Sequence, residues 1–230
     1  MTALQAIILD FDGVVANSER LHLRAFQEAL APTALVLTDE AYYERYLGFD
    51  DAGVFKALGE DLGVPFAAAT VQALVADKEH RYEVLAAAGE LLFPGVPAFI
   101  RGAAARVPLA IASGAHTREI EEVLVHSGLR QCFLAVVGAD QTANSKPAPD
   151  PYLEAFARMQ AAVGRSLSAR HTVAIEDSRW GLDSARAAGL RTVAVTNTYP
   201  AAELLAHAEL VVENLGTLDL ATLDRLCETQ

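Results

Sequence analysis

Cysteine is scarce in this chain. Only Cys132 and Cys227 occur, far apart and without a metal-ligand spacing, which excludes a disulfide framework and suits a reducing compartment. Basic residues are outnumbered, with 18 Lys and Arg against 30 Asp and Glu, and the net charge of −12 makes a nucleic-acid backbone or an anionic membrane a poor partner. Small anions remain acceptable ligands where cations are gathered locally. No apolar run approaches the length of a membrane span. Met1 to Gln5 lacks a basic n-region and Asp10 interrupts the apolar stretch behind it, so no signal peptide is expected and the cytoplasm is the expected compartment. The histidines 80, 116, 126, 171 and 207 show no ligand spacing. What is plentiful is apolar surface: 52% of the 230 residues are hydrophobic, enough for a full core, either as one domain or as a core with a modest insertion. A monomer is the default expectation at this size.

One stretch organises the rest. The apolar run Ala6 to Leu9 reads as a buried strand and arrives at Asp10-Phe11-Asp12-Gly13. Residues two apart on an extended chain point to the same side, so Asp10 and Asp12 can share one site at the strand's carboxyl end. From Asn17 or Ser18, either a plausible N-cap, the pattern becomes helical: Leu21, Ala25, Phe26, Ala29 and Leu30 share a face. Short helices are expected over 39–47 and 50–62, separated by Gly48, and a longer one over 66–87. Nothing between 17 and 87 has strand character. Beyond Phe93 the texture changes. Strands are expected over 107–112, 133–138, 172–175, 191–196 and 209–212, alternating with helices over 117–127, 150–163, 178–188 and 200–207 and a closing helix. Asp150 is placed as an N-cap before Pro151 at the first helical position.

Alternating strand and helix implies a parallel sheet covered on both faces. The expected architecture is a doubly wound, Rossmann-like α/β core, residues 1–16 and 88–230, interrupted after its first strand by an all-helical insertion, residues 17–87. Ligands of such sheets bind beyond the carboxyl ends of the strands. Those ends carry Asp10 and Asp12, Ser113 and Gly114, and Glu176 and Asp177, with Lys146 in a loop before a helix. Carboxylates crowded on one rim repel each other, and a hard divalent cation relieves this; Mg²⁺ suits an all-oxygen set without His or Cys. Ser113 and the backbone N–H of Gly114 offer neutral donors to a phosphate, and Lys146 adds a positive charge. The combination describes a phosphoryl-transfer site: one carboxylate attacks phosphorus, the other handles protons, and cation and lysine neutralise the transferred group.

These residues resemble the four motifs of the haloacid dehalogenase (HAD) superfamily. Asp10-Phe11-Asp12-Gly13-Val14 is similar to the first, Ser113 within Ile111-Ala112-Ser113-Gly114 to the second, Lys146 within Lys146-Pro147-Ala148-Pro149-Asp150-Pro151-Tyr152 to the third, and Glu176-Asp177-Ser178 to the fourth. The insertion after motif one is similar to the cap of the β-phosphoglucomutase and phosphoglycolate phosphatase branch. The resemblance implies Asp10 as nucleophile, Asp12 as acid/base with its backbone carbonyl on Mg²⁺, and Asp177 as a further ligand. Glu176 would be another or a water-mediated ligand, and Ser113 and Lys146 would hold the phosphoryl group. The aspartate at position 12 argues against the dehalogenases, which lack it.

The lead expectation is therefore a Mg²⁺-dependent phosphatase of a small phosphorylated metabolite, a sugar phosphate or phosphoglycolate-like acid, with the cap closing over it. In the cap, His22, Lys56, Lys78, Arg81 and Tyr82 are candidate substrate contacts; Lys78 and His22 match a lysine and a hinge histidine of the mutase branch. A sugar phosphomutase is the alternative. That branch carries an arginine three residues after a glycine, where this chain has Gly48-Phe49-Asp50-Asp51, an acid for a base. A phosphonate-cleaving enzyme would need an early cap lysine, for which only Lys56 is nearby. A non-catalytic binding protein on the same fold is disfavoured because every expected catalytic side chain is present. Trp180 is expected at the rim or in the core.

Overall fold

The computed structural model describes residues 3–46, 49, 51–88 and 91–228. Met1, Thr2, Gly48 and Asp50, on which part of the reading above rests, lie outside them. The chain divides into two compact units: a sheet unit of residues 1–17 and 92–230, and a helical unit of residues 18–91. The division falls a few residues from the 16/17 and 87/88 expected, because Ala16 pairs with Leu92 in an antiparallel bridge and the last helix of the helical unit runs on to Ala88.

The chain enters the sheet unit with β1 (Ala6–Leu9), four residues without solvent exposure. It then builds the helical unit: α1 (Ser18–Leu30), α2 (Asp39–Ala41) leading into a π-helical turn Tyr42–Tyr46, α3 (Asp51–Asp61) and α4 (Ala68–Ala88). Leu23, Phe26 and Leu30 of α1 recur at helical spacing and meet Val54, Phe55 and Leu58 of α3 and Val71 and Leu74 of α4 in one apolar cluster. The expected helix over 39–47 is interrupted by the widened turn. Tyr42 and Tyr46 are both buried there, and their hydroxyls donate to Glu19 Oε2 (2.8 Å) and Asp61 Oδ2 (2.7 Å).

Back in the sheet unit come α5 (Val96–Ala104), β2 (Leu109–Ala112), α6 (Thr117–His126), β3 (Ala135–Val137), α7 (Asp150–Val163), β4 (Thr172–Glu176), α8 (Arg179–Ala187), β5 (Arg191–Val195), α9 (Ala201–Leu204), β6 (Leu210–Val212) and α10 (Leu220–Glu228). The six strands are parallel in the order β3-β2-β1-β4-β5-β6. The α/β class expected from the sequence is thus observed. Helix α5 was not anticipated, although Val96, Ile100 and Ala103 are its buried stripe. β2 begins two residues later than expected, since Pro108 has no N–H for a ladder; its carbonyl instead accepts from Ile7 N at 3.1 Å. Asp150 does not cap α7. It is the first helical residue, and its carboxylate takes Asn144 Nδ2 at 2.9 Å.

The two faces of the sheet differ. Ile7, Leu9, Leu109, Ile111, Val173, Ile175 and Val193 form a bulky face. Ala6, Ile8, Ala110, Ala112 and Ala174 form a shallower, mostly alanine one, against which Tyr152, Ala155 and Met159 of α7 pack. Leu9 is in register with Ile111 on one side and Ile175 on the other, so the carboxyl ends of β2, β1 and β4 finish level. The order reverses at β1, because the chain steps to β2 and β3 on one flank and to β4 on the other. A crevice at that reversal is where such sheets hold ligands.

Candidate active site

Asp10 follows β1 directly and its N–H continues the ladder to Ile175 O at 2.9 Å. One carboxylate oxygen accepts Phe11 N at 2.7 Å, which fixes its rotamer. Behind Asp12 the chain doubles back: Phe11 O takes the N–H of Val15 (2.8 Å) and Ala16 (2.9 Å), and Gly13 adopts φ +74°. A side chain at 13 would be strained and would also place its Cβ 1.8 Å from Asp177 Oδ2, so glycine there clears the space the fourth-motif aspartate occupies.

Lys146 joins the pieces. Its ammonium lies 2.9 Å from Asp10 Oδ1 and 2.5 Å from Glu176 Oε1, and 5.1 Å from the Tyr152 ring centroid. Glu176, at the end of β4, has no solvent exposure. Besides Lys146, its Oε1 accepts Tyr152 OH at 3.0 Å; its Oε2 accepts Asp177 N (3.1 Å), Ser178 N (3.2 Å) and Ser178 Oγ (3.1 Å). Ser178 in turn caps α8 by accepting Gly181 N at 3.1 Å. A Cβ at Gly181 would sit 1.7 Å from Glu176 Oε1, so that glycine makes the carboxylate's seat.

Asp10, Glu176 and Asp177 each bring a carboxylate oxygen within 4.8 Å of the others, a spacing that can surround one cation. Burial foremost, then the charge of Glu176, pushes Asp10 up to about 8 despite the offset from Lys146. Asp177 is pushed well above the carboxylate range by burial and by Glu176 and Asp10, with a hydrogen bond from Thr198 pulling the other way. Burial works against the Lys146 ammonium, but Asp10 and Glu176 outweigh it and hold the lysine charged. Three carboxylates around one lysine leave an excess of negative charge that a hard divalent cation fits. Because the oxygens of Glu176 already meet protein donors, its part in that set is chiefly its charge.

The second-motif residues sit on the adjacent strand end. Ser113, buried, accepts Ala115 N on Oγ at 3.1 Å, and Gly114 is exposed. The start of α6 is not open to a ligand at Thr117: Asp140 Oδ1 takes both its N–H and its hydroxyl at 2.8 Å. Those two hydrogen bonds hold the Asp140 carboxyl below its usual range. The donors left to the phosphate-loop reading are Ser113 and Gly114 themselves. Asn197 and Thr198 were missed by the sequence reading. Asn197 Nδ2 donates to Gly13 O at 2.8 Å and Thr198 hydrogen-bonds Asp177. Their signal was available, since they follow the carboxyl end of β5 as the other site residues follow theirs.

Within the helical unit, His22 and Lys78 do come together, at 2.8 Å between His22 Nδ1 and Lys78 Nζ. Lys78 also donates to both carboxylate oxygens of Asp51 (2.7 and 2.8 Å), so its three N–H directions are used inside the unit. Tyr82 stacks on His22 with centroids 4.2 Å apart. Burial, then the Lys78 charge, lowers His22 to about 3, so it is neutral at physiological pH. Arg81 pairs instead with Asp77 at 2.7 Å. In the sheet unit, Trp180 is exposed, with the Arg179 guanidinium 4.4 Å from its centroid.

Residues 7–195 match the family model of the haloacid dehalogenase-like hydrolases. The chain belongs to that family. Among its relatives, the plasmid-encoded protein CbbY of Cupriavidus necator is 36% identical over 227 residues, covering 93% of this chain and 86% of that one. The fructose-1-phosphate phosphatase YqaB of Escherichia coli is 28% identical over 189 residues, covering 82% of this chain and 95% of its own. A crystal structure of a mutant CbbY from Rhodobacter sphaeroides in complex with xylulose 1,5-bisphosphate superposes with a TM-score of 0.78 at 28% identity, over 96% of this chain and 99% of that one. Among the described residues, no helix is long and apolar enough to cross a membrane.

Proposed function

We propose that this HAD-like hydrolase is a Mg²⁺-dependent phosphatase that hydrolyses a small phosphorylated metabolite through an aspartyl-phosphate on Asp10. The carrying observation is Lys146 set between Asp10 and Glu176, 2.9 and 2.5 Å away, with Asp177 in the same carboxylate cluster. The Asp10 carboxylate attacks phosphorus and the ester oxygen leaves, taking a proton from Asp12. Asp12 then removes a proton from water, which attacks the same phosphorus and returns Asp10 as a free carboxylate with inorganic phosphate released. Ser113, Gly114 and Lys146 hold the phosphoryl oxygens, and Lys146 neutralises charge as it builds on them. Asp10, Asp177 and the backbone carbonyl of Asp12 would hold Mg²⁺, with Glu176 beside them; the ion supplies further neutralisation of the transferred group.

Relatives named as phosphatases of fructose 1-phosphate, of phosphorylated carbohydrates and of phosphoglycolate support a sugar phosphate or a phosphoglycolate-like acid as the substrate class. Phosphate release should be measured with Mg²⁺ over fructose 1-phosphate, xylulose 1,5-bisphosphate, phosphoglycolate and a hexose 1-phosphate. Release from at least one, its loss on chelation, and a fall on the order of a thousandfold or more in Asp10→Asn are expected, the size typical of removing a covalent nucleophile. Activity indifferent to chelator or to Asp10→Asn would overturn the reading. Isomerisation of the hexose 1-phosphate to a 6-phosphate without phosphate release would make the chain a mutase instead.

A further inference from the structure

Nothing in the family match gives Tyr152 a task, yet its place is unusual. It is the third residue of α7, has no solvent exposure, and stands on the shallow face of the sheet among Ala6, Ala110, Ala112 and Ala174. A phenylalanine would fill that space without carrying a hydroxyl into an apolar layer, where an unpaired one is costly. The hydroxyl is paired, and its partner is the same Glu176 oxygen that holds Lys146. The ring itself lies against the ammonium, with Nζ 5.1 Å from the centroid.

The backbone around Lys146 is already pinned. Asn144 Nδ2 donates to Asp150 Oδ1 at 2.9 Å, Ser184 Oγ donates to Ala148 O at 2.5 Å, and Ala148 N donates to Ser145 O at 3.0 Å. A lysine on a fixed backbone still has four rotatable bonds, whose freedom is given up when the ammonium is held in one place. A site that waits for the substrate to settle that freedom reacts more slowly than one settled beforehand. Glu176 and Tyr152 settle it from two directions, by charge and by ring face. Gly181 leaves the room for Glu176 to do so.

We propose that Tyr152 is a positioning residue for phosphoryl transfer: its ring and hydroxyl, the latter acting through Glu176, hold the Lys146 ammonium against Asp10 before substrate arrives. It touches neither substrate nor phosphorus. This inference rests on the phosphatase reading, and its effect should therefore be confined to Lys146. Tyr152→Phe removes one oxygen and should lower kcat roughly tenfold, the size of one hydrogen bond to a charged group, with KM and the half-activating Mg²⁺ concentration within about twofold of wild type. Tyr152→Leu, which also removes the ring face, should lose more, so that phenylalanine counts as partial rescue.

The decisive measurement is a double-mutant cycle with Lys146→Met, read as kcat on p-nitrophenyl phosphate and, for weak variants, as calorimetric binding of orthovanadate with Mg²⁺. If Tyr152 acts through Lys146, Tyr152→Phe costs little or nothing further once the ammonium is gone. Equal loss in both backgrounds, or wild-type kcat in Tyr152→Phe, would overturn the inference while leaving the phosphatase standing. A wild-type protein that releases no phosphate from any ester would overturn both.

Discussion

Gly13 shows how much a single position can be asked to do. It takes φ +74°, and its missing side chain leaves Asp177 Oδ2 where a Cβ would stand 1.8 Å away. Gly13→Ala must therefore strain the backbone by about 1–2 kcal/mol and displace the carboxylate. The expected outcome is a protein that still folds but needs at least roughly tenfold more Mg²⁺ for half-maximal phosphate release, the size of a disturbed ligand shell. An unchanged Mg²⁺ titration would show that Asp177 does not serve the ion. Asp10, Ser113, Glu176 and Asp177 were legible because each adjoins a short apolar strand, and parallel strands in register carry such residues to one edge. Tyr152 and Asp140 were not singled out. Their roles depend on which way a helix or loop turns against a strand from elsewhere in the chain, and periodicity does not record that.

Among the elements, the helical unit offers the clearest case of a contact that pattern foreshadows only in part. Lys78 falls on the inward stripe of α4 with Val71 and Leu74, an unexpected place for a lysine, and the structure resolves it with Asp51 from the start of α3 and His22 from α1. The side chain of Lys78 is 3% exposed and that of Asp51 30%. Removing the buried partner's counter-ion is the damaging change. Asp51→Ala should cost roughly 2–3 kcal/mol, below the usual range for breaking a buried pair because water already reaches Asp51. Lys78→Met, which leaves a carboxylate that water can solvate, should cost less than about 1 kcal/mol. Denaturant unfolding of the two variants checks the order, and an equal or reversed cost would contradict it. Helix α5 escaped the sequence reading for a different reason: Phe93-Pro94-Gly95 resembles an ordinary turn, and the buried positions that follow are too few to outweigh it.

For the whole molecule, the carboxylate cluster sets an uncommon pH dependence. In the folded, metal-depleted protein Asp10 holds its proton up to about 8, against 3.8 ordinarily. Between those values the native state binds more protons than the unfolded chain, so stability falls as pH rises. His22 acts in the opposite sense. Its folded value is near 3 against 6.5, so its contribution is complete above 6.5 and is lost as pH falls below that. The informative window is therefore pH 6.5 to 8, where His22 is neutral in the fold and at least half neutral in the unfolded chain while Asp10 still titrates. In chelator the thermal midpoint should decline across this window, and Mg²⁺ at its upper end should restore it. A midpoint that is flat or rises in chelator, or that ignores Mg²⁺, would count against the site as a cation holder.

The bridge between Ala16 and Leu92, with Phe93 N donating to Val15 O at 3.3 Å, has a consequence for how such a chain can vary. It brings the two severed ends of the sheet unit side by side, so everything between them is one detour whose closure cost grows only slowly with its length. A detour anchored in this way can be lengthened, shortened or exchanged without asking the strands to move. The chemistry at the end of β1 and the seventy-odd residues that leave just after it can then be altered separately, as an interchangeable cassette on an invariant frame.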